Sequence, residues 1–127
     1  MYTLKKEERL CNKRLIDGLY HNGSSFLCYP FKATWCLSDL PAPFPAQVLF
    51  AVSKKRFKRA VDRNRVKRLM REAYRLKKHD QLYIYLASAQ KNIVFSVGYI
   101  GKEIAPFNLI DKKMSKLLKQ LCANIAG

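Results

Sequence analysis

Residues 54–78 read KKRFKRAVDRNRVKRLMREAYRLKK, and they hold about half of the chain's 25 Lys and Arg residues, with only Asp62 and Glu72 as acids. A run this dense in one charge is ordinarily a disordered tail. From Asp62 onward, however, projection at ~100° per residue gathers Val66, Leu69, Met70, Ala73, Tyr74 and Leu76 on one side. Asn64, Lys67, Arg68, Arg71, Arg75 and Lys78 collect opposite them, with Arg63, Arg65 and Glu72 at the borders. The apolar stripe predicts a helix docked on a core, which holds the basic stripe rigid and outward. Solvated helix faces usually alternate in sign to make i,i+4 pairs. This face is nearly all positive and is suited to a polyphosphate chain.

The rest of the composition agrees with that partner. The chain has 127 residues, a net charge of +16 and 49% hydrophobic residues. One domain spanning 1–127 with a real core is expected. The charge points to nucleic acid first and to an anionic membrane surface second. No apolar run is long enough to span a membrane, and residues 1–9 lack the apolar segment of a signal peptide, so a cytoplasmic protein is expected. Cys11, Cys28, Cys36 and Cys122 match no zinc spacing with His21 and His79, and read as reduced, mostly buried thiols.

Outward from the basic stretch, residues 5–22 predict a helix through Leu10, Leu15, Ile16, Leu19 and Tyr20, closed by Gly23 as a C-cap. Ser24–Leu27 and Phe31–Leu37 predict strands, the second from the alternation of Phe31, Ala33 and Trp35 with Lys32, Thr34 and Cys36. The proline-rich residues 39–45 read as a loop to a third strand, Gln47–Val52, which leads into the basic loop and helix. Residues 80–91 fit a strand or a helix, and we favour the helix. Ile93–Ile100 predicts the fourth strand, and residues 107–124 the last helix, buried through Leu109, Ile110, Met114, Leu117, Leu118 and Leu121. Tyr20, Tyr29, Phe31 and Trp35 include candidates for stacking on unpaired bases, although ordinary core is the better reading for most of them.

No catalytic constellation is visible. There is no nucleophile beside a histidine and no Gly-rich phosphate loop, and the nine acidic residues are scattered, singly apart from Glu7-Glu8, without the carboxylate cluster of a two-metal nuclease. No catalytic or metal-ligating residue is assigned. A stand-alone nuclease is therefore disfavoured against an RNA-binding protein, whether a ribosomal or other structural one or part of a ribonucleoprotein enzyme.

Ser53-Lys54-Lys55, then Ala60-Val61, then Arg63-Asn64-Arg65-Val66-Lys67-Arg68-Leu69, Arg71 and Glu72 resemble the signature of the bacterial ribonuclease P protein subunit. Arg9-Leu10 at the opening of the first helix, Gly23 at its end and Phe31 at the next strand extend the resemblance along the chain. It implies a two-layer α/β sandwich in the order α-β-β-β-α-β-α, with a four-stranded sheet and a left-handed β-α-β crossover, against the general rule. It also implies a protein subunit of a ribonucleoprotein endoribonuclease. In such an enzyme a catalytic RNA, with Mg²⁺, removes the 5′ leader from precursor tRNA, and the protein binds both that RNA and the single-stranded leader. No obligatory protein partner is implied. Carried over by position, Lys54, Lys55, Arg56, Arg63, Asn64, Arg65, Lys67, Arg68, Arg71 and Arg75 form the RNA-binding set, and Ile16, Tyr20, Phe31 and Thr34 the leader cleft. Ile16 and Thr34 depart from the family's aromatic pattern, and Lys58 stands where the family usually has Gly.

Overall fold

The computed structural model describes residues 4–38 and 44–127; most of the expected proline-rich loop, residues 39–43, lies outside them. The elements are α1 (Lys13–Asn22), β1 (Ser24–Cys28), β2 (Phe31–Leu37), β3 (Ala46–Val52), α2 (Ala60–Lys78), α3 (Ile84–Ala89), β4 (Ile93–Tyr99) and α4 (Phe107–Ala126). A π-helical turn, His79–Tyr83, joins α2 to α3, and a 3-10 turn, Lys6–Glu8, precedes α1. The sheet runs β1-β2-β4-β3, with β3 parallel to β4 and the other pairs antiparallel. The helical segment containing α2 thus links two parallel neighbours, as the resemblance requires.

Strand alternation divides the sheet into two faces. Phe31 and Ala33 of β2, Val48 and Phe50 of β3, and Phe95, Val97 and Tyr99 of β4 pack with Val66, Met70, Ala73 and Tyr74 of α2 and with Ile110, Met114, Leu117, Leu118 and Leu121 of α4. Tyr74 meets Phe50 and Phe95 edge-on at 5.7 and 5.8 Å. On the other face Leu10, Leu19 and Val94, with Leu15, Ile16, Cys36 and Leu49, form a smaller cluster under α1.

The first helix is shorter than its periodicity predicts. Asn12 caps it, its Oδ1 accepting from the backbone N–H groups of Arg14 (2.9 Å) and Leu15 (3.3 Å). Upstream, the chain lies along the sheet edge: Arg9 bridges Val48, and the Leu10 N–H donates to the Val48 carbonyl at 2.9 Å. Arg9-Leu10 therefore does not open the helix. Leu10 satisfies its burial as part of a strap over β3, a use that helical spacing cannot distinguish. Gly23 ends α1 in extended backbone (φ −75°) rather than as a left-handed cap. Close approach is the reason for glycine: a Cβ would run into the Leu19 carbonyl and lie 2.9 Å from Thr34 Cγ2.

Residues 80–89 are helical, as favoured. The wider π turn lets the chain stay helical while re-aiming its apolar side, so that Leu82, Tyr83 and Leu86 are buried. Two leucines expected in buried stripes, Leu76 and Leu109, are instead 40% exposed.

Lys78 departs furthest from the helical projection. It is 2% exposed, and its ammonium meets the Glu8 carboxylate from the N-terminal strap, which is 1% exposed. Glu8 also accepts from the Tyr83 hydroxyl at 2.5 Å and from the Lys5 N–H at 3.1 Å. Burial alone would raise the Glu8 pKa, but the hydrogen bonds from Lys78, Tyr83 and the Lys5 backbone, with the Lys78 charge, hold it below the ordinary carboxylate value. Burial, then the neighbouring Tyr74 and Glu8, pushes the Tyr83 phenol far up, so it remains a donor.

Candidate nucleic-acid interface

The basic stretch sorts into cations with internal partners and cations without. Arg56 donates to the Ile100 carbonyl at 2.9 Å, and Arg63 to the carbonyls of Phe57 (2.9 Å) and Lys58 (2.8 Å). These two arginines tie the basic loop to the end of β4 and to the first turns of α2. Buried Phe57 pins the same loop, its ring 5.9 Å from that of Tyr99. Arg75 pairs with Glu72 (2.8 and 2.5 Å), Lys77 with Asp111 (2.7 Å), and Lys78 with Glu8. Hydrogen bonding to Arg75 is the main cause that lowers the Glu72 pKa.

Lys54, Lys55, Asn64, Arg65, Lys67, Arg68 and Arg71 make no side-chain hydrogen bond or ion pair among the described residues. All are exposed except half-buried Lys67. Asn64 is not a cap: α2 begins at Ala60 with Arg59 before it, and Asp62 falls in the first turn, where the helix dipole favours an acid. The open cations therefore cluster on the first two-thirds of α2 and on the loop before it. Lys58 and Arg59, which the motif did not single out, are also exposed there.

The proposed cleft residues do not all meet. Ile16 packs with Leu49 in the smaller cluster, and Tyr20, one turn further along α1, is 55% exposed. Thr34 lies on the same face, buried under Gly23, with its hydroxyl 3.0 Å from that of Ser25. Phe31 does not belong to this cleft. Its side chain points to the opposite face and is fully buried against Tyr99, 6.0 Å away between ring centres. Alternation places Phe31 and Thr34 on opposite faces, which excludes a shared cleft.

Beyond α1 the floor mixes small, polar and aliphatic side chains in register: Ser25, Thr34, Ser96 and Leu49 form one row, and exposed Leu27, Lys32, Gly98 and Ala51 the next. Lys32 is exposed at the end of the sheet where the basic loop also lies. Its parity with Thr34 was readable, but its place at the same end of the sheet as Lys54 and Lys55 depends on strand pairing. Among the described residues no group of three or more His, Cys, Asp or Glu side chains is placed to hold a metal. All four cysteines are free; Cys11 is exposed and Cys28 buried.

The family model for Ribonuclease P matches residues 4–122. The chain belongs to the ribonuclease P protein family. The ribonuclease P protein component of Porphyromonas gingivalis is 36% identical over 124 residues, covering 98% of this chain and 90% of its own. That of Chlorobium phaeobacteroides is 38% identical over 131 residues, covering 94% and 88%. The ribonuclease P protein of Thermotoga maritima superposes with a TM-score of 0.70 at 23% identity, over 89% of this chain and 96% of that one. The Staphylococcus aureus protein gives 0.69 at 22%, over 90% and 94%. The last two bear on the fold, and they share the ribonuclease P protein architecture described above.

Proposed function

We propose that this chain is the RNA-binding subunit of a ribonuclease P that removes the 5′ leader from precursor tRNA, with the reactive groups supplied by a catalytic RNA and Mg²⁺. The observation that carries the reading is the row of Asn64, Arg65, Lys67, Arg68 and Arg71 without internal partners, on a helix whose other side is locked into the core. Arginine forks suit phosphate oxygens, and the helix that carries them is already folded, so only the side chains are ordered on binding. This row and Lys54 and Lys55 meet the catalytic RNA. The leader lies in the lane between Tyr20 and the basic loop, over the two register rows of the sheet, with Lys32 in the second. Tyr20 offers a ring to an unpaired base. The Mg²⁺ is assigned to the RNA, and among the described residues no group of three or more His, Cys, Asp or Glu side chains competes for it.

Reconstitution with the cognate catalytic RNA at low Mg²⁺ tests this. The protein should increase precursor-tRNA cleavage, and Arg65→Ala with Arg68→Ala should remove most of the gain. No gain from the wild-type protein would refute the assignment, and cleavage by protein alone would place the chemistry on this chain.

A further inference from the structure

The helix layer carries a second unpaired basic surface, away from the α2 row. α4 contains a single acid, Asp111, which is held by Lys77 at 2.7 Å. Lys112, Lys113, Lys116 and Lys119 therefore have no acidic partner on their own helix. With Lys77 and Asp111 they line a groove of about 560 Å³. Across Lys113 lies a second concavity of about 520 Å³, between the β1–β2 turn and the start of α4, walled by Tyr29, Pro30, Tyr99, Ile104 and Leu109. Tyr29 is 63% exposed there. Lys102 and Glu103 also line this concavity and offset one another.

Neither feature belongs to the surface described above. The α4 groove touches α2 only through Lys77, which is paired with Asp111 and belongs to none of the open cations of the α2 row. The Tyr20 lane lies on the far face of the sheet. A row of lysines over about 10 Å of helix beside an exposed tyrosine is the combination that takes a flexible polyanion with aromatic bases. A duplex keeps its bases stacked on one another and has no use for the ring.

We propose that the α4 lysines and Tyr29 form a second binding surface for single-stranded RNA, with the lysines holding the backbone and Tyr29 stacking on a base. It rests on the reading of the chain as an RNA-binding subunit and adds a site which that reading does not use. Tyr29, Lys112, Lys116 and Lys119 are exposed and Lys113 is half-buried, and none belongs to the core clusters, so their replacement leaves the core intact.

The test uses the full chain and an unstructured decauridylate carrying 4-thiouridine. Ultraviolet cross-linking and peptide mass spectrometry should place adducts on Tyr29 or within residues 102–119, besides those on α1 and α2. In a background with Arg65→Ala and Arg68→Ala, Tyr29→Ala should weaken oligomer binding at least about fivefold, and Tyr29→Phe should restore it. Lys113→Ala with Lys116→Ala should lower the salt slope by about 1.4. A matched duplex should show no dependence on Tyr29. Adducts confined to α1 and α2, with unchanged binding in the Tyr29 and lysine variants, would overturn the proposal. So would variants that keep the oligomer but lose binding to phosphatidylglycerol vesicles, which would assign the face to a membrane. Precursor-tRNA cleavage by the reconstituted wild type, measured in parallel, separates failure of this site from failure of the assigned function.

Discussion

Replacing Glu8 by alanine should be among the most damaging single changes outside the apolar core. The side chain is 1% exposed and takes three hydrogen bonds, from Lys78, Tyr83 and the Lys5 backbone. Its loss leaves the Lys78 ammonium buried without its carboxylate and the Tyr83 hydroxyl without its acceptor. Breaking a buried pair from one side costs about 3–5 kcal/mol. With an unfolding entropy of roughly 2.1 cal/mol/K per residue, a chain this long loses about 3.7 °C per kcal/mol, so Tm should fall by about 11–19 °C. Lys78→Met should cost a similar amount. The combination Glu8→Leu, Lys78→Met and Tyr83→Phe removes the three polar side chains that meet there and should recover most of the loss, because an apolar replacement of a buried pair is often neutral.

Thermal unfolding followed by circular dichroism measures all of these, with Glu72→Ala as the control for an ion pair at the surface. A Glu8→Ala shift no larger than that control would refute the buried network, as would a triple variant no better than the singles. The pH dependence gives a second readout. The folded pKa of Glu8 lies below its ordinary value of 4.5. Its contribution is therefore complete above the unfolded-state pKa and is lost as the pH falls through the lower folded one. Wild-type Tm should drop in that acid range, and Glu8→Gln should flatten the drop.

Arg65→Ala or Arg68→Ala should leave Tm nearly unchanged but reduce the slope of log affinity against log salt by about 0.7–0.9 per lost phosphate contact, and an unchanged slope would remove that arginine from the interface. Tyr20→Ala should weaken binding of the 5′ leader by about 1–3 kcal/mol with little effect on the catalytic RNA, whereas equal loss of both in a titration would show Tyr20 to be structural. Asn12→Ala should cost about 1 kcal/mol and raise amide exchange in the first turn of α1, and exchange unchanged there would mean that the cap is not needed.

Local pattern carried most of the fold. Period-2 alternation located β2 and helical periodicity located α2 and α4, because those elements each bury one well-defined face, whereas β4 was legible as an apolar run, being the inner strand and buried along nearly its whole length. The misreadings arose where burial comes from distant chain. Lys78 projects with the arginines on a helical wheel, but its partner Glu8 is 70 residues away and arrives only when the N-terminal strap crosses β3. Leu10 fits a helix's apolar stripe equally well as part of that strap. Phe31 was placed beside Tyr20 although its parity with Ala33 and Trp35, against Thr34, already set it on the other face. The basic motif of the interface was legible as a row of charge, but which members remain open was not, since the carbonyls that take Arg56 and Arg63 come from loop geometry.

That sorting gives the basic stretch its directionality. At the C-terminal end of α2, Arg75, Lys77 and Lys78 are neutralised in turn by Glu72, Asp111 and Glu8, three acids from three different parts of the chain. Toward the N-terminal end the only acid on α2 is Asp62, and the cations there lack partners or, like Arg63, donate only to neutral carbonyls. Two unit charges one helical turn apart in water repel by roughly 0.7 kcal/mol, so an open row of several carries a repulsion of a few kcal/mol that an arriving phosphate chain relieves. The fold can bear that cost because the same helix is fixed elsewhere, by its apolar stripe along its length and by Lys78 at its end. Rigidity and open charge thus come from different parts of one helix. The helix backbone beneath the arginine row is fixed before RNA arrives, and the row's repulsion becomes part of the free energy of binding rather than a cause of local unfolding.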